Sequence, residues 1–246
     1  MNAPLKASIE EASPVELAWT AGWDSTFRLL QLLLVEGRAV RPHYIVRPES
    51  SAGQEINAMN QIRRTMFRDQ PEVRGLLKPT EFIDVRAISK DRGLEVEYKR
   101  VTRTSKINYQ YLLIASYCRQ QQIAEMELGI LEDETLGSAN ETLFRELRLP
   151  LKGLSKLDMK DYSKAHGFSH LMDMTVFCRR PRSGRPCGIC GPCHDVISMG
   201  MGYRLPLMAR LRASVQAPFR RWWRANYSEM NPGLKSTVSR VLKGRY

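Results

Sequence analysis

The sequence predicts an α/β fold: a parallel sheet with helices on both faces and a C-terminal zinc-binding loop. Three observations carry this. Short apolar runs alternate with helix-period segments from Val15 to Val176. The first run passes through a compact turn, Thr20 to Thr26, directly into a helical pattern. Four of the five cysteines crowd between Cys178 and Cys193. Strands that alternate with helices form βαβ units, and such units bury a parallel sheet on both faces.

The elements follow in order. Val15 to Trp19 reads as the first strand, and Phe27 to about Glu36 as the first helix, with Gly37 as its stop. Ala39 to Val46 reads as the second strand. Glu55 to Arg68 has Ile56, Met59, Ile62 and Met66 on one helical face. Glu81 to Ala87 is the third strand, Lys106 to Gln121 the third helix with a stripe of Leu112, Leu113 and Ala115, and Glu125 to Leu131 the fourth strand. Lys156 to His166 reads as a further helix and His170 to Val176 as an extended segment. Arg179 to Pro186 reads as an irregular loop, and Pro218 and Pro232 as breaks in any long helix beyond Met208. The expected organisation is an N-terminal extension (1–14), an α/β domain (15–176), a zinc-binding segment (177–206) and a basic tail (207–246).

Composition narrows the function class. Hydrophobic residues make up 43% of the 246, enough for a sizeable core. No apolar run is long enough to cross a bilayer, and MNAPLKASIEEASP does not read as a secretory signal. A cytoplasmic location is the expectation. The formal charge is +12, but residues 207–246 carry nine Lys or Arg against the single Glu229. The basic character therefore belongs to the tail, which is read as a contact for nucleic acid, an anionic surface or a protein partner. The plain alternative is a solvated tail docked on its own domain or on a second subunit, and a homodimer is among the expected assemblies.

Cysteines clustered in one segment point to a metal rather than to a disulfide scaffold. Cys178, Cys187, Cys190 and Cys193 are spaced by eight, two and two residues, and Gly188 and Gly191 allow the tight turns between them. Four thiolates form a closed tetrahedral site that suits structural zinc, with an iron–sulfur cluster as the rival and chance clustering as the alternative. Cys118 stands apart, as a buried small hydrophobe. None of His43, His166, His170 and His194 has a motif around it.

The turn Thr20-Ala21-Gly22-Trp23-Asp24-Ser25-Thr26 joins a strand to a helix. Amides at such a turn and at a helix N-terminus attract phosphate. Ser25 and Thr26 add hydroxyls, and Asp24 either holds magnesium or caps the helix. A strand–turn–helix with a capping Asp is the simpler alternative.

This loop resembles the S-G-G-x-D-S pyrophosphate loop of ATP pyrophosphatases, the PP-loop superfamily. The stretch from about Val15 to Gly202 resembles the 7-cyano-7-deazaguanine synthase family of queuosine biosynthesis, which also closes its domain with four zinc cysteines at this spacing. Pro150-Leu151 and Lys156 match the family's Pro-Leu pair and following Lys. Asn108 falls at the Asn of its Arg-Asn pair, with Ile107 in place of the Arg. Gly129, Glu134, Gly137 and Asn140 keep the register of its G-x-x-x-x-D-x-S-G-Y-P-D segment. Here Ser138 and Ala139 replace the aromatic residue and the proline, and Thr20 and Ala21 replace the loop's Ser and first Gly.

The resemblance implies a Rossmann-like fold of the HUP, adenine nucleotide alpha hydrolase-like class. It implies an ATP site formed by Trp19, Thr20, Ala21, Gly22, Trp23, Asp24, Ser25, Thr26, Phe27, Arg28 and Leu29, with Asp24 and Ser25 catalytic and magnesium as cofactor. Substrate binding falls to Asn108, Glu134, Gly137 and Asn140. The implied reaction is an ATP-dependent ligation in which 7-carboxy-7-deazaguanine is adenylated, amidated by ammonia and dehydrated to the nitrile. Two further readings stand beside it. One is a divergent relative that adenylates another carboxylate or nucleobase in a biosynthetic or phage-defence setting. The other is a catalytically inactive nucleotide- or nucleic-acid-binding protein, motivated by Arg210 to Arg224 with Trp222 and Trp223.

Overall fold

The computed structural model describes residues 13–48, 51–103, 107–130 and 145–226. The chain divides into two compact units. The first comprises Met1–Thr20, Asp24–Arg47 and Ile62–Ser155; the second comprises Ala21–Trp23, Pro48–Gln61 and Lys156–Tyr246.

The first unit holds a five-stranded sheet in the order β3-β2-β1-β4-β5, with every pair parallel. Its strands are β1 (Val15–Ala18), β2 (Val40–Val46), β3 (Glu81–Asp84), β4 (Met126–Leu128) and β5 (Leu147–Arg148). β1 lies at the point where the strand order reverses. Chain leaving β1 builds outward through β2 and β3, whereas β4 and β5 extend the sheet the other way. In open parallel sheets such a reversal leaves a crevice beyond the carboxyl ends of the two strands.

Pro42 stands inside β2 without breaking it. Val40 exchanges backbone hydrogen bonds with Leu76 and Lys78, so alternate residues, Pro42 included, face the β3 side. The first β3 pair is His43 with Glu81. Pro42 thus lacks its N–H where no β3 carbonyl awaits it.

Helix α1 (Trp23–Leu30) runs on into a π-helical turn, Gln31–Val35, closed by the Glu36 amide on the Gln31 carbonyl at 3.0 Å. Gly37 ends it at φ +62°, and the Arg38 amide reaches back to the Leu32 carbonyl, 2.9 Å. The other helices are α2 (Ala52–Asp69), α3 (Arg92–Val101), α4 (Tyr109–Gln120), α5 (Lys156–Ala165), α6 (Ser169–Met172), α7 (Gly191–Ser198) and α8 (Leu207–Asn226). In the first unit a core of Ile88, Leu94, Leu112, Ala115, Tyr117, Cys118, Met126, Leu128 and Leu147 joins α3 and α4 to β4 and β5. Burying each of its larger side chains stabilises the fold by roughly 1.5–3 kcal/mol.

Several elements differ from expectation. α3 was not anticipated; Asp91 caps it by accepting from the Leu94 amide at 2.9 Å, and Leu94 and Val101 are its buried positions. The third strand ends at Asp84, and Val85–Ala87 turns as a 3-10 helix. Residues 170–176 are not extended: α6 occupies their first part, because Phe168, Leu171 and Met172 bury at helical spacing. Arg182 and Arg185 pair as a two-residue hairpin, with Ser183 and Gly184 at φ +47° and +76°. Both central residues at positive φ are what a tight hairpin requires. α8 continues through Pro218, and Val215 beside the gap is among its most exposed residues, so water can serve the carbonyl that the proline leaves.

One ion pair ties the first unit across distant sequence. Arg28 on α1 donates through Nε and Nη2 to both oxygens of Glu127 on β4, at 2.6 and 3.0 Å, and through Nη1 to Glu36 at 2.6 Å. Burial disfavours the guanidinium charge, but the hydrogen bonds and charges of Glu127 and Glu36 outweigh it and raise the pKa. Removing one member of a buried pair costs about 3–5 kcal/mol when the other charge is left alone; Arg28 keeps Glu36, so the loss here falls below that range. Glu127→Gln is expected to lower the urea midpoint accordingly; an unchanged midpoint would show that the pair contributes nothing.

Candidate functional site

The loop after β1 occupies the position that the strand order marks out. Ala21 has φ +51°, a conformation that suits glycine and costs an L-residue roughly 1–2 kcal/mol. Ala21 therefore holds a glycine-like backbone shape despite its methyl group. The Thr20 amide donates to Ser25 Oγ and the two hydroxyls share a second hydrogen bond, each at 3.3 Å, which folds the loop back onto the first turn of α1. Asp24 also lies in that first turn, where a carboxylate complements the helix dipole.

β4 reaches the same place from the other side of the crevice. A Cβ on Gly129 would run into the backbone of Ser25. Only a residue without a side chain lets the chain leaving β4 pass so close to the start of α1.

The expected nucleotide residues sort into two groups. Trp19, Thr26, Phe27 and Leu29 are fully enclosed, and the Trp19 indole donates to Thr26 Oγ1 at 3.0 Å. Their side chains pin the strand end to the helix. Arg28 is engaged with Glu127 and Glu36. Thr20, Gly22 and Asp24 keep some exposure. The loop's offer to a ligand is thus its backbone and these few groups.

Asn108 is the N-cap of α4, accepting from the Gln110 amide at 3.0 Å, and its neighbour Ile107 is buried. The other expected substrate residues, Glu134, Gly137 and Asn140, lie outside the described residues.

A polar chain beneath the sheet's carboxyl edge had no sequence signal. His43 Nε2 meets Glu16 at 2.5 Å, its Nδ1 meets the Tyr117 hydroxyl at 2.9 Å, and Arg41 holds the other Glu16 oxygen at 2.6 Å. The Tyr117 phenol is pushed up to about 12, chiefly by burial and then by the negative charge of Glu81. Its proton stays in place at physiological pH. His43 and Tyr117 also line a small apolar cleft together with Thr20, Ile45, Arg47 and Ile114.

In the second unit the four cysteines converge. All four Sγ atoms lie within 4.8 Å of one another, and none forms a disulfide. The Cys178–Cys190 and Cys187–Cys193 sulfurs are 3.9 Å apart, and Cys190–Cys193 3.4 Å. A tetrahedral ion with metal–sulfur bonds of ~2.3 Å sets its sulfurs ~3.8 Å apart, so the group fits a metal ion such as zinc. The Cys187 amide donates to Cys178 Sγ at 3.2 Å and the Ile189 amide to Cys187 Sγ at 3.4 Å, bonds that stabilise thiolates. Gly188 takes φ +79° directly beneath the Ala209 carbonyl, where a Cβ has no room. Arg212 caps the Cys187 carbonyl at 3.0 Å, and Ala209 and Ala213 are buried. The first turns of the basic tail are thus part of the cysteine knuckle.

Searches of protein-family models, curated proteins and solved structures find no match to this chain.

Two outcomes are expected. Metal analysis of purified protein should find one ion per chain, and cobalt loading should give the visible absorption of a tetrathiolate. Cys187→Ser should lose most of both, whereas full loading of that variant would remove Cys187 from the ligand set. Gly129→Ala should cost about 1–3 kcal/mol, the usual price of overpacking, or more because backbone is what it meets; unchanged denaturation would contradict the close approach.

Proposed function

We propose that the protein is an ATP-dependent ligase of the PP-loop, Rossmann-like type that activates a carboxylate by adenylation, with 7-carboxy-7-deazaguanine, ATP and ammonia as the leading substrates. The observation that carries the reading is the β1 loop: a left-handed Ala21 before Gly22 and Asp24, at a helix N-terminus, beyond the strand where the sheet order reverses. Phosphates bind at such places because backbone N–H groups and the helix dipole favour negative charge.

A carboxylate is a poor electrophile. In the proposed reaction one of its oxygens bonds to the α-phosphorus of ATP, and pyrophosphate leaves with the electron pair of the broken P–O bond. Ammonia then attacks the acyl carbon, AMP departs, and the nitrogen loses a proton to solvent. The amide oxygen then bonds to the α-phosphorus of a second ATP as pyrophosphate leaves, and loss of AMP and two protons gives the nitrile. The protein's part is to hold the reactants together and to neutralise charge growing on the pyrophosphate. Gly22 and the first turn of α1 serve that charge, and Asp24 would hold magnesium, which neutralises phosphate oxygens when bound. Zinc on the four cysteines would be structural, since a closed tetrathiolate leaves no position for substrate.

One observation favours a different substrate on the same chemistry. Ile107 is core where the related family carries a cation, so any group that this cation grips must be held otherwise here.

Pyrophosphate release from ATP should depend on 7-carboxy-7-deazaguanine. Asp24→Ala should cut it by about 100-fold or more, the scale on which losing one aligned group at charged oxygens acts, with metal content unchanged. Release with another carboxylate alone would select the divergent substrate. No release with any carboxylate, or full release by Asp24→Ala, would overturn the reading.

A further inference from the structure

The chemistry proposed at the β1 loop makes no use of α8, which opens the basic segment 207–246. This helix has two faces of different kinds. Ala209 and Ala213, one turn apart, are buried. The Ala209 backbone lies against Gly188, and Arg212 donates to the Cys187 carbonyl. Small side chains thus set the helix close on the cysteine knuckle.

A step of two residues turns an α-helix by about 200°. Leu207, Leu211 and Val215 therefore stand opposite the alanines, and Met208 and Trp222 fall in the same stripe at helical spacing. All five are more than half exposed, Val215 as much as 80%. From Leu207 to Trp222 the stripe runs about 22 Å at ~1.5 Å per residue. A helix docked on its own domain ordinarily turns its large apolar side chains inward. α8 turns alanines inward and the large apolar side chains outward. A contiguous exposed apolar face of this kind marks a contact with something outside the chain.

Charge narrows what that contact is. α8 carries five arginines and no acidic residue, and residues 207–246 hold nine Lys or Arg against Glu229 alone. A second copy of this helix would set like charges against each other. A nucleic acid would take the arginines and leave the aliphatic stripe in water. A protein partner would need an acidic groove matched to the whole length of an exposed ridge. A bilayer with anionic lipid meets both demands without such a match. Its headgroups supply negative charge everywhere, its acyl layer accepts Leu, Met and Val, and Trp suits the boundary between them.

We propose that α8 is a membrane-surface anchor that lies in the plane of an anionic phospholipid bilayer, with Leu207, Met208, Leu211, Val215 and Trp222 inserted below the headgroups. The helix is not apolar enough to cross the bilayer. Its binding requires neither ATP nor a carboxylate substrate.

Flotation of the full, metal-loaded chain with vesicles tests this, using phosphatidylcholine alone and an equal mixture of phosphatidylcholine and phosphatidylserine. The mixed vesicles should bind at least about tenfold more tightly than the neutral ones, and less so as salt rises. Leu211→Gln and Val215→Gln, at exposed positions where folding is not at stake, should each weaken binding by about tenfold, the scale of withdrawing one aliphatic side chain from an apolar layer. Their metal content should be unchanged. Arg210→Gln should narrow the preference for the mixed vesicles. Equal binding to the two vesicles would overturn the proposal. So would wild-type binding by both aliphatic variants, which would mean that the segment acts by charge alone. Absent binding to the mixed vesicles at low salt would overturn it too and assign the stripe to a protein: to a second copy if the chain sediments as a dimer that Val215→Gln dissociates, and to a different partner if it sediments as a monomer.

Discussion

The geometry at the end of β1 depends on a missing side chain. Gly129 lets the chain that leaves β4 pass against the backbone of Ser25, at the point where the strand order of the sheet reverses. Everything the first unit offers at that edge follows from this approach. The loop Thr20–Asp24 is closed by Ser25 from within, and α1 is held to β4 by Arg28 and Glu127. Enclosed Trp19, Thr26 and Phe27 leave the strand end and helix start little freedom to move apart. A rigid turn suits a ligand whose charge must be met by fixed dipoles, because dipoles already in place need no reorganisation.

The second unit repeats the device with different chemistry. Gly188 lies beneath the Ala209 carbonyl in a conformation glycine favours, and the four sulfurs gather around it at separations that a tetrahedral ion sets. The metal site would be a clamp rather than a catalyst. Cys178 is both a member of the sulfur group and a residue of the wall of a second-unit cavity. Cys178 and Arg204 line that cavity together, although 26 residues separate them in the chain.

Much of the sheet is legible in the sequence, because parallel strands buried on both sides read as short apolar runs. β1, β2 and β4 fall where those runs lie, whereas β3 is a largely exposed edge strand that ends earlier than its run. The sulfur group is legible for a different reason: cysteine is rare, and short spacing alone brings thiolates together. What escapes is whatever depends on topology. Arg28 and Glu127 are 99 residues apart, and His43 and Tyr117 are 74 apart. Nothing local marks either pair. Arg204 resembles any arginine of a basic segment until the fold closes Trp23 and Phe177 over it. α3 and β5 escape for want of signal: Gly93 weakens the start of one, and the other is two residues long. α8 passes a proline that reads as a stop, because an exposed helix can leave one carbonyl to water. No helix among the described residues is long and apolar enough to cross a membrane.

The central claim is that a carboxylate oxygen attacks the α-phosphorus of ATP at the β1 loop. Labelling the substrate carboxylate with heavy oxygen and following the label by mass spectrometry tests this directly. Adenylation followed by amidation carries one labelled oxygen into AMP and none into pyrophosphate. Label in inorganic phosphate with ADP as the nucleotide product would mean transfer of the γ-phosphoryl group instead, and would contradict the account.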